Sequence, residues 1–203
     1  VLKMQINKSD RNDAAGIARI MQTGWFKEVH VKDVDSHTVK ALLASRALLV
    51  KIKRDLENQI RGLAVVFGVR LPRGLSPAFA EQVISGSQGV VGLAGAMAGL
   101  LAARNAVFEA ITAIDRDMKR LAHSSEACRR LMTIPGVGRL TALAFVAAID
   151  EPERFRRSRD VGAYLGLVPR RYQSGEVDYT GSISKCGDRR VRTLLYEAAN
   201  VML

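Results

Sequence analysis

The feature that most limits how this chain can fold is a long stretch without glycine or proline. From Ser36 the chain continues without either residue until Gly62. Leucine recurs at every seventh position, at Leu42, Leu49, Leu56 and Leu63. Because a heptad repeat places these side chains on one helical face, we predict one amphipathic helix of about 45 Å, capped by Asp35 or Ser36. That face suits either a coiled-coil arm or packing within the chain's own domain.

A second stretch, from Gln82 to Ala103, contains no charged residue and is long enough to cross a bilayer. Glycine, serine and glutamine dilute its hydrophobicity, and Gly95 with Gly99 forms a GxxxG pair. Small residues also bring backbones together in soluble proteins, and the flanking segments lack interfacial aromatic residues. We therefore expect this stretch to belong to a soluble protein with no membrane partner.

Composition divides the chain into residues 1–35, 36–108 and 109–203. The first part joins a helical pattern, after Asp10 to Asp13, to a predicted short strand. The strand rests on the alternating Val29, Val31 and Val34. The second part holds the helical arm and then a linker, marked by Pro72, Gly74 and Pro77. The third is a helical domain, so we expect a mainly α fold with short strands only near the N-terminus.

The charge of the chain is strongly positive and unevenly distributed. There are 31 Lys and Arg against 20 Asp and Glu, a net charge of +11. The segment from Arg154 to Arg192 holds ten cations and four acids, and therefore +6 of that charge. All but one of the ten are arginines, whose planar guanidinium groups suit phosphate, and tyrosines lie between them. We interpret the segment as a nucleic-acid-binding surface; the alternative is a solvated charged face.

The compartment follows from features near the N-terminus and from the cysteines. Charged residues from Lys3 to Asp13 interrupt any apolar segment of a signal peptide. Cys128 and Cys186 lie far apart and outside any metal-binding spacing, so neither a zinc site nor a disulfide framework is indicated. We expect a reducing compartment.

The clearest local motif runs from Leu131 to Ile149. An apolar helix is predicted to end at Ile134, a turn follows at Pro135-Gly-Val-Gly138, and a second apolar helix begins near Thr141. This pattern is typical of a helix-hairpin-helix. Gly136 and Gly138 would let a phosphate approach the backbone N–H groups at the second helix. The alternative is a helical hairpin whose glycines serve packing alone.

Two carboxylates, Asp10 and Asp13, lie three residues apart at the start of the first predicted helix. Paired acids can hold Mg²⁺ and assist phosphoryl transfer. Acids in a first helical turn are also favoured by the helix dipole, which explains such pairs without a metal.

A candidate nucleophile, Ser174, follows Arg170, Arg171 and Tyr172 in a turn-like segment. A serine that attacks phosphate needs positive charge near the transition state, and these arginines with Lys185 could supply it. The competing hydroxyls are Ser182 and Ser184.

Four segments taken in order resemble bacterial insertion-sequence transposases of the DEDD type. They are the KSDRNDAAGIA opening, the IPGVGRLTALAFVAAI hairpin, the FRRSRDVGAYLGLVPRRYQSG segment and the GSISKCGDRRVRTLLYEAA ending. The resemblance covers nearly the whole chain. It implies a remnant of an RNase H-like α/β domain, similar to Holliday-junction resolvases, joined by a coiled-coil-like arm to a helical transposase domain.

The resemblance also implies a mechanism. Asp10 and Asp13 match the last two of four acids around Mg²⁺, while the first Asp and the Glu would precede Val1. The chain as given is therefore expected to be inactive alone. Ser174 matches the serine that attacks DNA and forms a phosphoserine linkage. The implied partners are DNA, a structured non-coding guide RNA and further copies of the chain, as a dimer or tetramer, in the bacterial cytoplasm at the nucleoid.

The sequence thus predicts a transposase that cuts and rejoins DNA strands. The predicted DNA contacts are Gly136, Gly138, Arg139, Arg156, Arg157, Arg170, Arg171, Lys185 and Arg189. Two other readings remain open at this stage. One is a non-catalytic helix-hairpin-helix DNA-binding protein, and the other is a coiled-coil interaction protein with an incidental basic surface.

Overall fold

The structure, a computed structural model, describes residues 9–26, 28–71, 78–90 and 92–203. The chain divides into two compact units, residues 1–32 and 33–203. The predicted linker residues Pro72, Gly74 and Pro77 lie outside the described residues.

The first unit contains helix α1, Asp10–Thr23, which confirms the helix predicted there. Ser9 caps it, because its side chain accepts a hydrogen bond from the backbone N–H of Asn12 at 3.3 Å. Gly24 ends it with a left-handed backbone (φ 65°), and its N–H donates to the carbonyl of Met21.

The strand predicted from Val29, Val31 and Val34 is wrong. Residues 28–33 have no regular secondary structure, and Val34 is the first residue of a helix. Val29 and Val31 are both more than four-fifths exposed. An alternating pattern becomes a strand only when a neighbouring strand pairs with it, and none among the described residues does so here.

The second unit begins with the predicted long helix, α2, Val34–Val66. Its N-cap is Asp33 and not Asp35 or Ser36, which is a correction to the sequence prediction. The Asp33 carboxylate accepts a hydrogen bond from the N–H of Ser36 at 2.5 Å, so Ser36 already lies inside the first turn.

Helices α3, Phe79–Ser87, and α4, Leu93–Ser124, divide the charge-free stretch between them. A buried apolar cluster joins these two helices to the end of α2. Its members include Ile60, Ala64, Phe79, Val83, Met97 and Leu101. Among the described residues, α4 alone is long and apolar enough to cross a membrane, which is weak evidence for such a role.

The leucine repeat of α2 is half-buried, and the helix packs along α4 of the same chain. Arg46 of α2 donates from Nε to the Asp115 carboxylate of α4 at 2.6 Å. Further along the same two helices, Arg104 of α4 donates from Nε to the Glu57 carboxylate of α2 at 2.9 Å. These contacts show that the helix packs within its own unit. The expected boundary near residue 109 falls inside α4, and the three-part domain division stays a prediction.

Four shorter helices complete the second unit around one apolar core. They are α5, Glu126–Leu131, α6, Arg139–Ile149, α7, Ser158–Tyr164, and α8, Arg189–Asn200. The core includes Leu43, Met118, Cys128, Leu143, Leu165 and Val191. The fold is therefore mainly α, as predicted.

The sheet of the described residues lies near the C-terminus and not near the N-terminus, which corrects the predicted position of the strands. Strand β1, Pro169–Ser174, pairs antiparallel with β2, Val177–Ile183. The segment around Ser174 that is predicted to be turn-like is thus mostly strand. Its alternation of arginine, tyrosine and glutamine does not bury either face, so hydrophobic periodicity gave no strand signal.

Candidate nucleic-acid interface

The turn between α5 and α6 gives its two glycines different roles. Gly136 has a positive φ of 80°, and a Cβ added there would lie 2.4 Å from the carbonyl oxygen of Ala198 in α8. Only glycine fits this close approach, so Gly136 packs the turn against α8. The packing alternative therefore accounts for Gly136 without a phosphate.

Gly138 is open to solvent and caps the N-terminus of α6. A Cβ added at this position would meet nothing within 4 Å. No side chain caps the helix, and the neighbouring Arg139 is exposed. Since the first N–H groups of a helix lack intrahelical partners, this end of α6 can accept an anion.

Four arginines of the basic segment bind the protein itself. Arg154 lies between two rings, 4.4 Å from the centroids of Phe155 and Tyr164, and donates to the carbonyl of Ile149 at 3.1 Å. The other three are Arg170, Arg171 and Arg192. The sequence predicts that their charge is available for nucleic acid, but their N–H donors are at least partly occupied by contacts within the fold.

Arg192 is the clearest structural case. Its Nη1 donates to the carbonyls of Leu165 and Gly187, each at 3.2 Å, and to that of Cys186. The two backbone segments cross closely here, since a Cβ on Gly187 would lie 2.3 Å from the carbonyl oxygen of Tyr164. Arg192 thus bridges the end of α7 to the loop before α8.

Five cations of the segment have no side-chain partner among the described residues. They are Arg156, Arg159, Lys185, Arg189 and Arg190. Arg157 is also exposed, and its backbone N–H donates to the carboxylate of Asp160 at 3.2 Å as α7 begins. Of the predicted DNA contacts, Arg139, Arg156, Lys185 and Arg189 therefore have free charged groups, whereas Arg170 and Arg171 are engaged.

Ser174 is the last residue of β1 and lies exposed at the end of the hairpin. It faces Val177 across a two-residue turn, in which Gly175 takes a positive φ of 57°. Side chains alternate along a strand, so Ser174 shares a face with Tyr172 and with Tyr179 of β2. The two tyrosine rings are stacked, with centroids 4.9 Å apart. The hydroxyl is thus accessible beside an exposed aromatic pair.

The opposite face of the hairpin carries the ion pair of Arg171 and Asp178. The Arg171 Nε donates to Asp178 at 2.9 Å, and its Nη2 donates to the second oxygen at 2.5 Å. These hydrogen bonds lower the pKa of Asp178 and raise that of Arg171. Arg171 was expected to assist Ser174, but the two side chains point to different faces.

The other two candidate nucleophiles, Ser182 and Ser184, differ in whether they form hydrogen bonds within the protein. Ser184 Oγ accepts a hydrogen bond from the N–H of Cys186 at 3.5 Å, and its carbonyl accepts one from Arg170 at 2.9 Å. Ser182 is exposed on β2. Arg170 and Ser184 therefore hold the base of the hairpin together, while the hydroxyls of Ser174 and Ser182 remain accessible.

Asp10 and Asp13 lie in the first turn of α1, in the first unit. Within the described ranges, no group of three or more potential metal ligands is present. Two carboxylates on one helix can contribute to a Mg²⁺ site that is completed by water and phosphate. The pair therefore offers the right donor chemistry but only part of a coordination shell.

Sequence reasoning missed one cation that the fold brings to the basic segment. Lys40 of α2 lines an open cleft together with Arg189 and Arg190 of α8. Lys40 lies in the predicted arm, far along the chain from the other two, and its spacing in α2 carried no signal for this contact.

Comparison with known proteins shows that this chain is similar to transposases. Residues 128–203 match the family model described as "Transposase IS116/IS110/IS902 family". The transposase for insertion sequence element IS1111A of Coxiella burnetii is 37% identical over 204 residues, which cover 97% of this chain and 55% of that protein. The transposase for IS1328 of Yersinia enterocolitica is 30% identical over 198 residues, or 97% of this chain and 59% of that protein.

A shorter part of the chain is similar to a protein that is not named a transposase. The pilin gene-inverting protein of Moraxella bovis is 28% identical over 99 residues, covering 46% of this chain and 31% of that protein. The chain itself spans between 55% and 59% of the length of the two transposases.

Most of α5, all of α6, the basic segment and Ser174 fall within the matched residues 128–203. The chain is homologous to insertion-sequence transposases. Its residues 128–203 are similar to the IS116/IS110/IS902 transposase family.

Proposed function

We propose that this chain acts in a DNA transposase, which cuts and rejoins DNA strands to move an insertion sequence. The observation that carries the proposal is the family match over residues 128–203, the region in which Ser174 and the unpartnered cations lie. The homologous transposases align over nearly the whole chain, which supports the same role for the arm and the first unit.

Ser174 is the proposed nucleophile. Its Oγ would attack a DNA phosphorus atom, with loss of the hydroxyl proton, to form a phosphoserine bond. The bond from phosphorus to the leaving deoxyribose oxygen would break, and that oxygen would take up a proton. A strand hydroxyl would then attack the phosphoserine and release Ser174. Its accessible position at the hairpin end is the geometry that such an attack needs.

Asp10 and Asp13 are the proposed contributors to a Mg²⁺ site. Bound there, the ion would supply positive charge for phosphate groups. The two carboxylates lie on one side of the first turn of α1 and are accessible to solvent in the first unit. Their alternative role is to stabilise α1 through its dipole, which removal of both would reveal as lost helicity.

The proposed partners are DNA and a structured guide RNA, held by an oligomer of the chain in the bacterial cytoplasm. Support for nucleic acid comes from the open N-terminus of α6 at Gly138 and from the exposed Arg139, Arg156, Arg157 and Lys185. Contacts of this type bind the backbone and do not read base sequence. Sequence choice would therefore come from elsewhere, which is the role we assign to the guide RNA.

The test is a covalent trapping assay with the transposase that carries this chain, its guide RNA, Mg²⁺ and end-labelled donor DNA. We expect a protein–DNA adduct that survives denaturation and disappears in Ser174→Ala. Ser182→Ala is the matched control, because it removes another exposed hydroxyl from the same hairpin and should keep the adduct.

Other outcomes would assign the chemistry differently. Metal-dependent cleavage without an adduct would move catalysis to the carboxylates and a water molecule. An adduct that depends on Ser182 would replace the proposed nucleophile. Salt-sensitive DNA binding with neither cleavage nor adduct would identify a non-catalytic DNA-binding protein and overturn the proposal.

A further inference from the structure

A cleft of about 550 Å³ lies between α2, α6 and the beginning of α8. Two buried apolar side chains, Leu43 and Ala144, form part of its lining. Three cations, Lys40, Arg189 and Arg190, also line it. The volume falls within the range of small-molecule sites, roughly 300–1,000 Å³, so the cleft is larger than a single small anion requires.

The charge of this cleft is not balanced by the protein. The one acid in its lining is Asp188, whose Oδ1 accepts hydrogen bonds from the N–H groups of Arg190 at 2.9 Å and Val191 at 3.3 Å. Asp188 thus acts as the N-cap of α8. The side chains of Lys40, Arg189 and Arg190 form no ion pair within the part of the chain that the structure describes.

The position of Arg189 and Arg190 in α8 makes the uncompensated positive charge of the cleft less favourable still. Arg189 and Arg190 are the first two residues of the helix, and its first turn contains no acid. The positive end of the helix dipole disfavours cations there, and Lys40 from α2 adds a third. Natural proteins break local rules of this kind mostly at functional sites.

We propose that this cleft binds a phosphodiester group of a nucleic acid strand, with Lys40, Arg189 and Arg190 as the contacts. The inference rests on the proposed function and adds the arm helix α2 to its nucleic-acid surface. Arginine offers paired donors to two phosphate oxygens, and lysine adds a compact charge. The backbone N–H groups of Arg190 and Val191 donate to Asp188, so we assign the binding to the side chains.

The cleft extends beyond one phosphate, which suits a continuous strand. Leu43 and Ala144 give it an apolar wall against which a sugar can rest, and the cations supply charge for the linking phosphate. DNA and RNA share this chemistry.

The test measures binding of the chain to a labelled DNA duplex and, separately, to a labelled RNA hairpin by fluorescence anisotropy across a salt series. The variants are Lys40→Ala and Arg190→Ala. The matched controls are Lys119→Ala on α4 and Arg54→Ala on α2, which remove exposed cations outside the cleft lining. Inorganic phosphate serves as a third probe, followed by its effect on the melting temperature.

We expect each cleft variant to weaken binding about tenfold at low salt, with at least one of the two nucleic acids. For duplex DNA, the slope of log K against log salt should fall in magnitude by about 0.9 if one phosphate contact is lost. The controls should bind within about twofold of the unaltered chain. The nucleic acid whose binding is weakened, DNA or RNA, is the one that occupies the cleft.

Equal affinity of cleft variants and controls for both nucleic acids would overturn the inference while leaving the proposed function intact. A loss confined to inorganic phosphate would also overturn it, because the cleft would then be a free-anion site. Absence of any nucleic-acid binding by the unaltered chain would contradict both the inference and the proposed function. Circular dichroism of each variant confirms that the helices are retained.

Discussion

Arg104 of α4 donates a hydrogen bond from Nε to the Glu57 carboxylate of α2, across a distance of 2.9 Å. Both side chains are more than four-fifths buried, and Lys53 lies 3.4 Å from the same carboxylate. The guanidinium group also lies 5.6 Å from the ring centroid of Phe79 in α3. One ionic contact therefore connects the two long helices where the short helix packs on them.

The pair predicts that breaking a shielded ion pair between α2 and α4 costs more stability than breaking an exposed ion pair within α2. Arg104→Ala leaves Glu57 with Lys53 as its remaining charged partner and also removes the contact with Phe79, so it should lower the free energy of unfolding by about 2 kcal/mol. Asp55→Ala breaks an exposed pair with Lys51 on the same helix and should cost less than about 1 kcal/mol. Urea denaturation compares them; equal losses would mean that the Glu57 contact adds nothing to helix pairing.

The two glycines of the turn before α6 predict opposite results. Gly136→Ala forces a Cβ onto the carbonyl of Ala198 at a positive φ, and should lower stability by at least about 2 kcal/mol. Gly138→Ala meets no neighbour at a φ of −84°, and should change stability by less than about 1 kcal/mol. Thermal melts of both variants test this, and tolerance at Gly136 would show that the turn can leave α8.

The hairpin predicts a pH response in the acid range. The Arg171 hydrogen bonds lower the pKa of Asp178 below its ordinary value of 3.8. The pair's contribution is therefore fully present above that value and is lost as pH falls through the lowered pKa. In an NMR titration, Arg171→Ala should return the Asp178 carboxyl to about its ordinary pKa. Arg170→Ala should leave it unchanged, because Arg170 donates instead to the Ser184 carbonyl.

Arg154 and Arg156 lie two residues apart, but we expect the first to contribute to stability and the second to DNA binding. Arg154 contacts two rings and a carbonyl, so Arg154→Ala should lower the free energy of unfolding by about 2 kcal/mol. Arg156 is exposed without a side-chain partner, so Arg156→Ala should leave stability unchanged and weaken DNA binding. Paired denaturation and binding curves distinguish the two. A stable Arg154→Ala with weakened binding would return Arg154 to the nucleic-acid surface.

Local patterns were sufficient to predict α1, α2 and the helices around the Pro135 turn. Each rests on interactions between residues close in the chain, such as helical periodicity and capping, which a sequence displays directly. The predicted cap of α2, Asp35 or Ser36, lies two or three residues beyond the observed cap, because Asp33 and Asp35 are chemically equivalent candidates. Only the backbone geometry at Asp33 distinguishes them.

Two errors of strand prediction have a common cause. The hairpin of β1 and β2 was not predicted, and the strand predicted near the N-terminus does not form. Strands depend on a partner elsewhere in the chain, and side-chain alternation does not report whether that partner exists. Val29 and Val31 alternate without one, whereas Tyr172 and Tyr179 find each other across β1 and β2. The decisive contacts lie outside any short window of sequence.

The role of the charged residues also depended partly on the sequence and partly on the tertiary structure. Composition located the basic excess between Arg154 and Arg192 and the family resemblance directed attention to Ser174, but neither could separate free cations from engaged ones. A guanidinium is bound or free according to which carbonyls and rings the fold brings within reach, as at Arg192 and Arg154. Tertiary structure alone decided that Lys40 joins Arg190 at one cleft, because packing of α2 against α6 and α8 closes a separation that the chain itself leaves open.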